Sequence, residues 1–131
     1  MKTVRELLEQ KGREVWSIGP DATVYDALKL MADQQIGSLI VLEGGRTVGI
    51  VTERDYARSV ILKGRTSKDT PVRDIMTARP LYAAPDQTVE EAMAVMTERR
   101  VRHLPVIDGD KLVGLISIGD LVKSIISEQQ F

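Results

Sequence analysis

The chain is written twice. Setting residue n beside residue n+65 lays Pro20–Leu62 over Pro85–Ser127 without a gap, and 14 of the 43 pairs are identical. Many other pairs exchange like for like: Leu28 with Met93, Glu43 with Asp108, Arg46 with Lys111, Ile50 with Leu115. Further upstream, Val4-Arg5-Glu6-Leu7-Leu8 matches Val72-Arg73-Asp74-Ile75-Met76 at an offset of 68, so the first copy carries three extra residues near Lys11 to Arg13. An ungapped match of this length is the mark of internal duplication. It divides the chain into a first repeat at 1–64, a linker at 65–71 and a second repeat at 72–131.

Both copies give the same local reading. Thr23-x-x-Asp26 and Thr88-x-x-Glu91 have capping-box spacing, in which hydroxyl and carboxylate satisfy the free amides of a helix start. Behind them Val24, Ala27, Leu28, Met31 and Val89, Ala92, Met93, Met96 recur at i, i+3, i+4, i+7, which is one apolar helical face. Two β-rich runs follow in each copy, joined by Glu43-Gly44-Gly45-Arg46 and Asp108-Gly109-Asp110-Lys111, a hairpin signal. A last helix is predicted over Arg54 to Leu62 and over Gly119 to Ser127, and short strands over Val15–Ile18 and Leu81–Ala84. The order is β-α-β-β-α, twice, in an α+β fold. A three-stranded sheet of about 60 residues is hard to stabilise alone. The expected solution is two copies packed sheet to sheet with pseudo-two-fold symmetry, which creates two equivalent clefts.

Composition narrows the function. Eighteen Lys and Arg nearly balance 19 Asp and Glu, so the net basic field of a nucleic-acid partner is missing. No apolar run reaches bilayer-spanning length, and MKTVRELLEQKGREV has no apolar core like that of a signal peptide; the cytoplasm is the expected address. With no cysteine and a single histidine, His103, thiolate chemistry and multi-histidine metal sites are excluded. A Walker-type loop and a histidine-centred triad are also missing, so an enzyme is not expected.

In each copy the second hairpin strand enters the last helix through one pattern, Gly49-Ile50-Val51-Thr52-Glu53-Arg54-Asp55 and Gly114-Leu115-Ile116-Ser117-Ile118-Gly119-Asp120. Glycine lets a ligand or another backbone approach. The hydroxyl of Thr52 or Ser117 can meet an anion at a helix start, and the aspartate three residues on can accept both hydroxyls of a ribose. Thr/Ser-x-x-Asp is also close to a plain capping box. Both readings stand on the pattern alone.

The repeat order, the strand Arg102-His103-Leu104-Pro105-Val106-Ile107-Asp108, the glycine-to-aspartate ending and the opening Val72-Arg73-Asp74-Ile75-Met76-Thr77 together resemble a tandem pair of cystathionine-β-synthase (CBS) domains, the Bateman module. That resemblance implies a sensor of AMP, ADP, ATP, NAD, NADH or S-adenosylmethionine that controls an unknown partner protein and associates as a homodimer. It also implies two unequal sites. In the first, Ile50, Thr52, Arg54 and Asp55 face Thr77, Tyr82, Val101 and Arg102. Asp55 would hold the ribose, Thr52 and Arg54 a phosphate, Arg102 and His103 further phosphate charge, and Tyr82 and Val101 would border the adenine. In the second, weaker site, Leu115, Ser117 and Asp120 face Trp16, Ile36 and Gly37. There Gly37 replaces Arg102 and Gly119 replaces Arg54. Each lost charged hydrogen bond weakens binding roughly 10- to 100-fold. The alternative is a ligand-free interaction or dimerisation module. Lys63, Arg65 and Lys68 read as a solvated linker, and Glu128 to Phe131 as a fraying tail or a subunit contact.

Overall fold

The hairpins expected in both copies form, and each shifts register at the same repeat position. In the computed structural model, which describes residues 1–129, strand β2 (Ser38–Glu43) pairs antiparallel with β3 (Arg46–Thr52), with a shift between Val41 and Leu42. Strand β5 (His103–Asp108) pairs with β6 (Lys111–Ser117), with its shift between Val106 and Ile107. Gly44 and Gly45 both take positive φ, 59° and 79°, as a two-residue turn matching the strand twist demands. Of the chain end expected to fray from Glu128, Glu128 itself lies in the last helix and its carboxylate accepts the Lys2 amide at 2.9 Å, while residues 130 and 131 fall outside the described residues.

The compact units in space cut across the repeats. One unit is Val15–Pro80; the other joins Met1–Glu14 to the chain from Leu81 onward. Each repeat's opening segment is therefore built into the unit of the other repeat. In the terminal unit the amides of Val4 and Arg5 donate to the carbonyls of Gln87 (2.8 Å) and Pro85 (2.9 Å), and Val89 donates to Lys2 (2.9 Å). In the middle unit Val72 and Arg73 donate to Ala22 (2.8 Å) and Pro20 (2.9 Å), and Val24 donates to Thr70 (2.8 Å). The two sets match residue for residue at the offsets of the repeat.

In the middle unit, β1 (Ser17–Ile18) runs parallel to β2, and β4 (Thr77–Ala78) closes the other edge against β3, giving the order β1-β2-β3-β4. Helix α2 (Val24–Gln34) starts where Thr23 Oγ1 accepts the Asp26 amide at 3.1 Å. Its buried Val24, Ala27 and Met31 pack with Leu39, Val41, Val51 and Val72. The last helix of this repeat is a short α-turn, α3 (Glu53–Tyr56), that widens into a π-helix over Ala57–Ile61.

In the terminal unit, α1 (Val4–Lys11) begins with a complete capping box between Thr3 and Glu6. It buries Val4, Leu7 and Leu8 beside Met96 of α4 (Val89–Arg99) and Leu121 of α5 (Ile118–Gln129). Each such side chain contributes about 1.5–3 kcal/mol on burial. The strand expected over Leu81–Ala84 shrinks to one bridge, Ala83 to Val106, with bonds of 2.9 Å from Ala83 to Pro105 and from Ile107 to Ala83. The next amide, Ala84, is taken by the Gln87 side chain at 2.8 Å, which ends the pairing.

Candidate functional site

The two glycine-to-aspartate segments turn from strand to helix in the same way. In the middle unit the Thr52 amide donates to Asp55 Oδ2 at 2.9 Å, the Thr52 hydroxyl reaches the same oxygen at 3.1 Å, and the Asp55 amide donates back to Thr52 Oγ1 at 3.1 Å. In the terminal unit the Ser117 amide donates to Asp120 Oδ2 at 2.8 Å, and the Asp120 amide to Ser117 Oγ at 3.1 Å. The capping-box reading is thus realised in both. It leaves capacity for a ligand: among the described residues, Oδ1 of Asp55 and Oδ1 of Asp120 accept no hydrogen bond, and a carboxylate can take about four.

The glycines serve packing. A Cβ at Gly49 would stand 2.6 Å from Met76 Sδ and 2.9 Å from the Thr77 carbonyl oxygen, and one at Gly114 would stand 2.7 Å from Leu8 Cδ2. Of the two partners that glycine admits, it is the protein's own opening segments that take the space.

The middle unit holds eight of the residues singled out in the sequence. Ile50 lies directly across from Thr77 on β4, and Thr52 and Asp55 form the cap. Arg54 is exposed in the first turn of α3. The Glu53 amide donates to the Gly37 carbonyl at 3.1 Å, which fixes Ile36 and Gly37 beside the helix start. A Cβ at Gly37 would come within 2.9 Å of Glu53 Oε1. Trp16 packs on the core of this unit, and its carbonyl accepts the Ile40 amide at 3.1 Å.

The terminal unit holds the other seven. His103 is the cross-strand partner of Ser117, Leu115 is that of Pro105, and the Arg102 carbonyl accepts the Ile118 amide at 2.9 Å, the counterpart of the Glu53–Gly37 bond. Val101 packs against the core. Tyr82 is 58% exposed. Asp55 and Arg102 belong to different units.

Sequence reasoning missed one residue. Lys11, the last of α1, donates from Nζ to Asp120 Oδ2 at 2.6 Å and to the Leu115 carbonyl at 2.6 Å. It falls at the point where the repeat register breaks, and its counterpart at the 68-residue offset is Arg79, beyond the matched opening segments. The available signal was Thr3-x-x-Glu6, the same capping spacing that marked Thr88 and Glu91, which predicts a helix ending near Lys11.

These contacts set the charges apart. Burial raises the Asp55 pKa, and the opposing bonds from Thr52 and the field of Arg58 do not cancel it. Burial pushes Asp120 in the same direction, but the Lys11 ammonium and the Ser117 bonds outweigh it, and its pKa is lowered. His103 is lowered, first by burial and then by Lys11 and Arg102, against the pull of Asp120. Burial and the two neighbouring cations thus favour the neutral imidazole. Among the described residues no group of three or more His, Cys, Asp or Glu could hold a metal ion, and no helix is long and apolar enough to cross a membrane.

A duplicated α+β chain with a matched Gly…Thr/Ser…Asp turn in each half defines a class of tandem modules, and comparison with known proteins identifies it. The CBS domain family model matches residues 4–61 and 72–127, and the chain belongs to that family. The CBS domain-containing protein CBSX3, mitochondrial, of Arabidopsis thaliana is 39% identical over 98% of this chain; the chain spans 66% of that protein, just under two thirds of its length. A solved structure of a protein with CBS domains from Burkholderia ambifaria MC40-6 is 55% identical, with a TM-score of 0.94, covering 99% of this chain and 98% of that one. A crystal structure of CBSX2 in complex with AMP is 25% identical, with a TM-score of 0.81, covering 99% of this chain and 100% of that one.

Proposed function

We propose that this chain is a regulatory module that binds an adenosyl nucleotide and passes the bound state to a partner protein, with no catalytic step of its own. The carrying observation is the half-buried aspartate of each helix cap, Asp55 and Asp120, whose Oδ1 is left open while Oδ2 is held rigidly. A fixed carboxylate with one open oxygen suits the adjacent hydroxyls of a ribose. Thr52 and Arg54 are assigned to phosphate. Ile50, Thr77, Tyr82, Val101, Arg102 and His103, with Trp16, Ile36, Gly37, Leu115 and Ser117, are the other proposed ligand contacts. AMP is the first ligand to try, because it is bound by the CBSX2 neighbour; ADP, ATP, NAD, NADH and S-adenosylmethionine complete the panel. A ligand that binds the native state must raise the melting temperature. The reading is abandoned if none of the six does so at millimolar concentration.

A second reading, an interaction module with no ligand, is favoured by the completeness of both caps and by Lys11 resting on Asp120. Mass spectrometry of the denatured protein as purified separates the two, since a sensor carries nucleotide and an empty module does not. A homodimer in the cytoplasm is part of the first reading. Light scattering and fractionation test it, and the mitochondrion named for the Arabidopsis relative is the competing address.

A further inference from the structure

We infer that Lys11 is a built-in competitor for the Asp120 carboxylate and that it makes the terminal unit select phosphorylated nucleotides over the uncharged nucleoside. This rests on the reading of Asp120 as a ribose acceptor and deepens it.

The geometry is asymmetric between the units. Lys11 Nζ sits 2.6 Å from both Asp120 Oδ2 and the Leu115 carbonyl oxygen. Among the described residues Asp55 has no such partner, since the hydrogen bonds to its carboxylate come from Thr52. The residue at the Lys11 position by the 68-residue offset is Arg79, whose amide donates to the Val48 carbonyl at 3.3 Å and which forms no ion pair among the described residues. Lys11 ends its helix, and the next residue, Gly12, has φ of 105° with open space around it. A four-carbon stem at such a point can swing its ammonium without moving the helix.

A ribose that approaches Asp120 finds Oδ1 open but Oδ2 engaged by a cation, so a grip on both carboxylate oxygens by its two hydroxyls has to displace Lys11. Its hydroxyls are neutral donors, so their bonds to the carboxylate carry charge on one side only, whereas the Lys11 ammonium meets it with charge on both. Displacing Lys11 also leaves its ammonium without an anion. Adenosine offers nothing in exchange. A nucleotide offers its phosphate, so the lysine trades one anion for another and binding proceeds. His103, across the strands from Ser117, has its charged form disfavoured by burial and by Lys11.

The experiment compares adenosine with AMP by calorimetry in a D55N background, which leaves the Asp120 carboxylate as the ionised member of the pair. Replacing Lys11 by Met should tighten adenosine about tenfold while leaving AMP unchanged or weaker, so the preference for AMP falls by about tenfold or more. K11R should retain the preference. Carbon-detected NMR should show the Asp120 pKa rising in K11M. Circular dichroism checks folding, and K11Q stands in if K11M is unfolded. An unchanged preference in K11M overturns the inference. So does D55N protein that binds neither ligand while the unsubstituted protein binds AMP, an outcome that leaves the sensing role of Asp55 intact. If the unsubstituted protein binds no member of the panel, the proposed function falls and this inference with it.

Discussion

Met76 lays its sulfur over Gly49, at a point where a β-carbon would come within 2.6 Å. Gly49 sits in mid-strand, where glycine ordinarily costs stability relative to alanine. The glycine is kept because the opening segment of the other repeat needs the space. Gly49→Ala is therefore expected to destabilise by about 1–3 kcal/mol, the range for overfilling a packed site. Gly19, with open space around it and no positive φ, is the control, and Gly19→Ala should be neutral or slightly stabilising. Urea denaturation of both variants checks the pair. Equal effects would mean that Met76 moves aside freely.

The two cap aspartates should respond to pH with opposite signs. The folded-state pKa of Asp120 is lowered, so its ion pair contributes stability above the unfolded value near 3.8, and that contribution is lost as pH falls through the lower folded value. Asp120→Asn should cost about 1 kcal/mol at pH 7, as expected for a partly exposed pair, and the gap from the parent should close in acid. The folded-state pKa of Asp55 is raised, so folding favours its neutral form, and the benefit is lost as pH rises through the folded value. Asp55→Asn should therefore be neutral or stabilising at pH 7. Denaturation curves between pH 3 and pH 8 measure both.

What could be read from the residues is what local chemistry decides. Thr88 and Glu91 form the full capping box and Thr23 the hydroxyl half of one, without the return bond from Asp26; Gly44–Gly45 turns the hairpin, and Val24, Ala27 and Met31 are buried. The swap of opening segments was hidden because Val4–Leu8 and Val72–Met76 look alike but do different things. The first continues through Glu9, Gln10 and Lys11 as an α-helix under the Thr3–Glu6 box. The second follows Pro71, makes one 3-10 turn over Val72–Asp74, and is then drawn into β4 by pairing with β3. Tertiary pairing overrides local likeness there. Lys11 was out of reach for the same reason: its partner is 109 residues away, and its counterpart at the 68-residue offset, Arg79, forms no ion pair among the described residues.

His103 is the only histidine, so its titration can be followed without assignment. It should titrate below 6.5, because burial, Lys11 and Arg102 all oppose its charge. Removing the favourable field with Asp120→Asn should lower the value further, and Arg102→Ala should raise it. Proton NMR across pH 4 to 8 reads all three. A His103 that titrates at the unperturbed value in every variant would show that the side chain is solvated and not beside the Asp120 cap.

Ligand binding should depend on Asp55 far more than on Asp108. Both are aspartates near the end of a β-hairpin strand, but Asp55 is half-buried with Oδ2 fixed by Thr52, whereas Asp108 is exposed at the turn opposite Lys111. If Asp55 grips a ribose, Asp55→Ala removes charge-assisted hydrogen bonds and should weaken AMP binding roughly 10- to 100-fold. Asp108→Ala changes the net charge by the same amount and should leave affinity within about twofold, which cancels any long-range electrostatic effect from the comparison. Calorimetric titration of the two variants against AMP gives the ratio directly. Equal losses would indicate that the protein responds to net charge, and the ribose assignment would have to move elsewhere.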